Sequence, residues 1–313
     1  MTNQSIASVT TAYNAMRSLP RQIEALYQQT LPLGEIIVVD NASTDGTSEM
    51  LAERYAQVTV LRMSSNLGAA GAWAAGLSYA ALKKGHDWVW TFDDDSIPPK
   101  DALEKMLAGM NSVNPVQDKI GMIVPMPIHR ETRTCYPPLL WRDGFVMPSA
   151  AQARETFWFA DLAIASGSLL RREVVVQIGL PRADFFMDMF DFEYSLRIRA
   201  SGYRIMVMGQ LEMSHEIGNL RKIDFLGFKH SWIDQAPFRE YYFSRNLTYL
   251  AWHLYANRST KKSAVRYLAL RGIHVILFGT KKMKSLIRIT QGLNDGLRGK
   301  LGVRFLPGAR TLL

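Results

Sequence analysis

The sequence predicts an α/β fold, an open and mostly parallel sheet with helices on both faces, followed by a basic helical C-terminal region. Three observations carry that prediction. β-prone and helical segments alternate through residues 1–95. One of those segments, Ile36-Ile37-Val38-Val39, is a continuous β-branched run, which suits a strand covered on both faces. The chain has 313 residues, 48% of them apolar, enough to bury a full core without disulfides or a structural metal.

The segments follow in order. Ile6 to Tyr13 is β-prone, and Arg17 to Gln29 places Leu19, Ile23 and Leu26 at helical spacing. Glu35 to Asp40 is the buried strand. Ser43 to Thr47 supplies turn and capping residues for a helix from Ser48 to Tyr55. Val58 to Arg62 is a strand, and Ala69 to Lys83 is an Ala- and Gly-rich helix. Trp88 to Phe92 is a short apolar strand that runs into three carboxylates. Residues 115–158 hold many prolines and no clear period, which predicts loops and short strands with an edge hairpin. Leu162 to Leu170 reads as a strand and Arg171 to Ile178 as a helix stopped by Gly179. A further helix covers Asp191 to Ala200, with Gly202 as its stop, and a strand covers Tyr203 to Met208. From Pro237 onward the pattern is helical.

Composition excludes several classes. This apolar content rules out disorder as the main state. The single cysteine, Cys135, excludes a disulfide framework or thiolate cluster and is expected to be a buried or half-buried bystander. The N-terminus, Met1 to Ser8, lacks a secretory pattern, and the longest apolar candidate, Gly272 to Gly279, is too short to span a bilayer. A cytoplasmic protein that touches a membrane is expected. The net charge of +9 is uneven. From Thr260 to Leu313 twelve basic residues face one acid, Asp295, giving +11 and leaving −2 for the rest. A basic tail points to a polyanion or an anionic membrane.

In open α/β sheets ligands bind beyond the carboxyl ends of the strands. Three features fall there: Tyr13-Asn14, Asp40-Asn41 and Asp93-Asp94-Asp95. Adjacent carboxylates repel one another, so the acidic triplet is either a solvated turn that caps the next helix or a cation site. In an extended segment Asp93 and Asp95 point the same way and can share one hard divalent ion, with Asp94 directed elsewhere. Asp188, Asp191 and Glu193 form a second cluster, among aromatics. They are either helix N-terminal acids or a general base whose pKa is raised by desolvation. His215 is either an ordinary surface or core histidine or a third ligand for Mn²⁺. The small residues around Asn66-Leu67-Gly68 suit tight helix packing or close backbone approach to a ligand. They match neither a Walker loop nor a dinucleotide fingerprint.

Taken in order, Thr10 to Asn14, Gln29-Thr30, Ile37 to Thr47, Asn66-Leu67-Gly68, Asp93-Asp94-Asp95, Asp191-Phe192-Glu193 with Arg197, and His215 resemble family 2 glycosyltransferases of the GT-A fold. Within that family the segments Asn66 to Trp73 and Asp87 to Asp95 look most like bacterial galactofuranosyltransferases, with rhamnosyltransferases as neighbours. Ala69, Ala72 and Trp73 depart from the Gly-, Gly- and Phe-containing version of the first segment.

The resemblance implies inverting, single-displacement transfer from a nucleoside diphosphate sugar. It assigns Asp191 as base and Asp93, Asp95 and His215 as ligands of Mn²⁺ or Mg²⁺. Thr10, Tyr13, Asp40, Asn66 and Asp94 bind the donor, and Glu193, Asp188 and Trp158 bind the acceptor, with Asp188 as fallback base. It implies a GT-A domain over residues 1–250, with a donor half at 1–115 and an acceptor half at 116–250, and a basic region at 251–313. The favoured donor is UDP-galactofuranose, with dTDP-rhamnose as alternative. The expected acceptor is a polyprenyl-diphosphate-linked cell-surface glycan of the O-antigen, capsule or galactan kind.

Two other classes fit the residues less well. A sugar-phosphate nucleotidyltransferase requires a Gly-rich basic loop where this chain has Tyr13-Asn14-Ala15-Met16. A non-catalytic polyanion or membrane binder accounts for the tail but not for two acid clusters, which would repel a nucleic acid. No nucleic-acid partner is therefore expected. The tail mixes its cations with Val265, Leu268, Leu270, Ile273, Ile276, Leu277, Phe278, Leu286 and Ile287. These either pack on the rest of the chain or lie on the inner leaflet, and the second is the expectation.

Overall fold

In a computed structural model, residues 4–113, 118–130, 132–142, 144–215, 219–225 and 228–307 are described. The elements in order are β1 (Ile6–Ala12), α1 (Leu19–Tyr27), β2 (Glu35–Asp40), α2 (Thr47–Arg54), β3 (Thr59–Arg62), α3 (Gly68–Leu77), β4 (Trp88–Asp93) and α4 (Ala102–Gly109). Then come β5 (Ile120–His129), β6 (Leu140–Trp141), β7 (Phe145–Val146), β8 (Phe157–Ala160), β9 (Leu169–Arg171), α5 (Arg172–Ile178) and α6 (Phe190–Ala200). The last are β10 (Arg204–His215), β11 (Asn219–Phe225), β12 (Phe228–Asp234), α7 (Pro237–Tyr249), α8 (Arg258–Phe278) and α9 (Lys282–Leu297).

The chain divides into two compact units. The first comprises 1–141, 146–183 and 191–215, and the second 142–145, 184–190 and 216–313. A cut at 250/251 instead runs through the second unit, between α7 and α8.

The first unit holds an eight-stranded sheet of order β3-β2-β1-β4-β9-β5-β10-β8. β1 to β4 pair in parallel, as do β5 and β10. β9 lies antiparallel between β4 and β5, and β8 runs antiparallel along β10. Strand order reverses at β1: the chain builds β2 and β3 on one side, then returns to lay β4 on the other. In open α/β sheets ligands bind at such a reversal, which here lies at the carboxyl ends of β1 and β4. The core beneath is buried and aromatic-rich, with Trp88, Trp90 and Phe92 of β4 packed with Leu19, Ile23, Ile123 and Leu169.

The small residues of α3 are explained by packing. A Cβ on Gly76 would sit 2.2 Å from Val9 Cγ1 and 3.1 Å from Val39 Cγ2, so the helix rides directly on β1 and β2.

The Pro-rich stretch corrects the sequence reading. Residues 120–129 form a fully buried strand inside the sheet, not loops. Prolines argue against a central strand because they remove ladder donors. Here the register passes from Val207↔Val124 to Glu212↔Met126, so β10 bulges opposite Pro125. The other edge of β5 pairs with β9 only at Met122 and Ile123, ahead of both prolines. The expected hairpin is present as β6 and β7. The strand expected from Leu162 shortens to β9, and β10 extends to His215. Cys135 is exposed, on the segment that bridges back to Ile128.

The second unit packs α9 on α7 through glycines four apart. A Cβ on Gly292 would approach Tyr241 O to 2.3 Å, and one on Gly296 would approach Arg245 O to 2.5 Å. Fully buried Arg245 donates to the carbonyls of Asp184, Phe185 and Gly302. Asn246 Nδ2 donates to those of Phe185, Met187 and Asp188. Together they hold a segment in which Phe186, Asp188 and Met189 all have φ of 55–65°, a conformation unfavourable for non-glycine residues. β11 and β12 form a hairpin that the sequence reading did not anticipate. Among the described residues no helix is long and apolar enough to cross a membrane.

Candidate active site

The rim of the first unit begins with two loops laced together. After β1, Asn14 takes φ 54°. Its N–H donates to Ser43 Oγ, and its Oδ1 accepts from Thr44 N. Ala15 N–H donates to Thr47 Oγ1, and Met16 N–H to Asp45 Oδ2. Asp40, at the end of β2, is fully buried, with Ser43 N–H on Oδ1 and the Ser48 hydroxyl on Oδ2. Thr10 is likewise buried and donates to Gln22 Oε1. Asn41 and Asn66 bond to each other, and Asn66 Oδ1 also accepts the N–H of Gly68 at the start of α3. Tyr13 is half-buried at this rim.

The acidic turn after β4 meets the end of β10. An antiparallel bridge joins Ile97 to Ser214 and brings His215 to the carboxylates. His215 Nδ1 lies 3.1 Å from Asp95 Oδ1, and Nε2 lies 3.9 Å from Asp93 Oδ2. Asp93, Asp95 and His215 each offer a ligand atom, all within 4.8 Å of one another. Two carboxylates and one imidazole, all half-buried, are a donor set that suits Mn²⁺ or Mg²⁺. The triplet thus has two carboxylates and an imidazole within ligand reach of one another, which is compatible with a cation site.

Three residues that sequence reasoning missed build the floor of this group. Ser96 Oγ lies 2.7 Å from both His215 Nδ1 and Ser166 Oγ. Ser166 Oγ accepts the Asp93 N–H at 3.0 Å. Gln22 Nε2 donates to the carbonyls of Asp93 and Ser96. With the Nδ1 proton directed at Ser96 or Asp95, Nε2 keeps its lone pair on the Asp93 side, where a cation would take it. Ser96 adjoins the acids, so its neighbourhood was visible in the chain. Ser166 and Gln22 stand 70 or more residues from their partners and carry no local cue.

Asp94 is the neighbour directed away. Burial raises its pKa to about 7, the Asp95 and Asp93 carboxylates add to the rise, and the Tyr13 backbone N–H opposes it. A cation between Asp93 and Asp95 would offset the repulsive part.

Asp191 is half-buried in the first turn of α6, where its Oδ1 accepts the Phe192 N–H. Glu193 is 3% exposed and gripped by Arg197, with Nε to Oε1 at 2.9 Å and an Nη2 bond to Oε2 at 3.0 Å. Arg197 also donates to the carbonyls of Ile178 and Leu180, tying α6 to the end of α5. Trp158, on β8, is buried, and its indole N–H has no hydrogen-bond partner among the described residues. Asp188 belongs to the second unit, where Arg239 pairs with it.

Comparisons with known proteins bear on the family and the fold. The model of the family described as glycosyl transferase family 2 matches residues 8–179. The chain is 27% identical over 311 residues to the dTDP-rhamnosyl transferase RfbF of Shigella flexneri, covering 96% of this chain and 98% of that one. It is 26% identical over 257 residues to the galactofuranosyltransferase GlfT1 of Mycobacterium tuberculosis, covering 79% and 82%. The solved structure of GalNAc-T7 with UDP, GalNAc and Mn²⁺ superposes with a TM-score of 0.62 at 14% identity, covering 95% of this chain and 57% of that one. At that identity the likeness concerns the fold, which is of the GT-A class.

Proposed function

This chain belongs to glycosyl transferase family 2 and is a glycosyltransferase, and we propose that it moves a sugar, with inversion, from a nucleoside diphosphate onto a hydroxyl of a lipid-linked or growing cell-surface glycan. The observation that carries this reading is the convergence of Asp93, Asp95 and His215 at the strand ends. They would hold the divalent ion, which supplies positive charge to the leaving diphosphate. Asp191 takes the proton of the acceptor hydroxyl as that oxygen attacks the anomeric carbon. The new C–O bond forms on the face opposite the breaking bond to the diphosphate, and the nucleoside diphosphate departs. Glu193, fixed by Arg197, orients the first turn of α6 around Asp191. Tyr13, Asp94 and Asn66, with buried Thr10 and Asp40 behind them, shape the donor pocket. Trp158 serves the acceptor.

UDP-galactofuranose is the donor favoured by the Asn66 to Trp73 segment. dTDP-rhamnose is the second reading, and the rhamnosyl relative supports it because that match spans nearly the whole of both chains. The acceptor is polyprenyl-diphosphate-linked, which places the reaction at the cytoplasmic face of the membrane. A donor panel tests this: UDP-galactofuranose, dTDP-rhamnose, UDP-galactopyranose and UDP-glucose, each with a lipid-linked acceptor mimic and Mn²⁺, read by mass of the product. Absence of glycosylated product from every donor would overturn the reading.

A further inference from the structure

In the second unit, α8 packs through Thr260, Ala264, Leu268 and Val275, which are buried and spaced four, four and seven apart, so they share one helical face. Arg271 lies on that same side and pairs with buried Glu240 of α7. The opposite side is not uniformly polar. Val265, Leu270, Ile273, Ile276 and Leu277 are all more than half exposed, Leu277 at 60%. At the start of α9 the pattern continues with Met283, 70% exposed, and Ile287 one turn later. The basic region's apolar residues are thus divided: Leu268 faces inward, and these seven do not.

Exposed apolar side chains set singly are ordinary, but a row along one helix face that continues into the next helix marks an interaction surface. Its charge identifies the occupant. Lys281, Lys282 and Lys284 are exposed at the turn between the helices, and Lys262 and Arg266 are exposed on the outward side of the first half of α8. No Asp or Glu occurs between Tyr241 and Asn294. A partner protein of mixed charge would not require so complete an absence of acids. An anionic bilayer matches both features: apolar side chains enter the acyl boundary while flanking lysines meet headgroup phosphates.

We propose that the corner between α8 and α9 is a membrane-seating element. Ile273, Ile276, Leu277 and Met283 insert, and Lys281, Lys282 and Lys284 form a collar against anionic headgroups. This deepens the reading of transfer at a membrane surface by naming the side that faces the lipid.

The test is co-sedimentation of the full chain with phosphatidylcholine vesicles, alone or mixed with phosphatidylglycerol. Binding is expected to the mixed vesicles, weakened by salt, with each lysine changed to glutamine lowering the partition by roughly fivefold. Ile276→Glu/Leu277→Glu, at solvent-exposed positions, is expected to abolish vesicle binding while far-UV circular dichroism stays unchanged. Unaltered binding by that variant, or binding by neither protein, overturns the proposal. So does a wild-type dimer that the variant converts to monomer without any vesicle binding, since the face would then join copies of the chain. Transfer to a short soluble acceptor mimic separates this inference from the proposed function. That activity is expected within twofold of wild type in the variant. If the wild type itself lacks it, the enzymatic reading fails while the vesicle result stands.

Discussion

His215 Nδ1 and Ser96 Oγ are 2.7 Å apart, although 119 residues separate them in the chain. Through this contact, together with the 3.1 Å approach of Asp95 Oδ1, the Nδ1 edge of the imidazole is held from two directions. Ser96 is itself held by Ser166, which also receives the backbone N–H of Asp93. One hydroxyl pair therefore positions two of the three candidate ligands.

Ser96→Ala is expected to weaken Mn²⁺ binding by roughly ten- to a hundredfold, the usual effect of losing an outer partner of a metal-binding histidine. Electron paramagnetic resonance titration of Mn²⁺ without substrate checks this apart from catalysis. Ser96→Thr should retain most of the affinity. Equal affinity in wild type and the alanine variant would remove Ser96 as a positioning residue.

Chelation by EDTA is expected to abolish transfer, and added Mn²⁺ or Mg²⁺ to restore it. Asp93→Asn should require far more metal for the same rate. Full turnover in chelator would mean that Asp93, Asp95 and His215 hold no catalytic ion.

Asp191→Asn is expected to fold as wild type and lose roughly 10²–10⁴ in turnover, the range that general base catalysis contributes. Its KM for donor should change little, since the donor pocket is built from other residues. Turnover above about a tenth of wild type would exclude Asp191 as base on the same scale.

Gly292→Ala should destabilise the second unit. The new methyl would lie 2.3 Å from Tyr241 O and 2.9 Å from Arg245 N, both backbone atoms with little freedom to retreat. Overpacking of this kind costs about 1–3 kcal/mol, measurable as a lowered Tm. An unchanged Tm would show that α9 can slide on α7.

Most of the first half of the fold was legible because its strands are short apolar runs bounded by turn residues. Ile36 to Val39, Trp88 to Phe92 and the helix stops at Gly179 and Gly202 declare themselves locally, and both glycines have positive φ. β5 was not legible, because Pro125 and Pro127 suggested a loop. Only its partner, by bulging between Val207 and Glu212, makes the strand tolerable. The candidate site divides the same way. Asp93 and Asp95 were visible as a motif, and so was the acid-rich start of α6. Ser96, Ser166 and Gln22 became meaningful only once the sheet set them side by side.

The sequence by itself determined the family, the order of strands and helices through its first 95 residues, the residue types suited to cation and proton chemistry, and the location of the basic excess. These depend on neighbours in the chain or on an ordered set of motifs. Tertiary structure decided which carboxylates lie within ligand reach of His215, which glutamate is committed to Arg197, and which face of α8 is turned outward. Those outcomes depend on residues distant in sequence, because hydrogen bonding and burial act through space and carry no local periodicity.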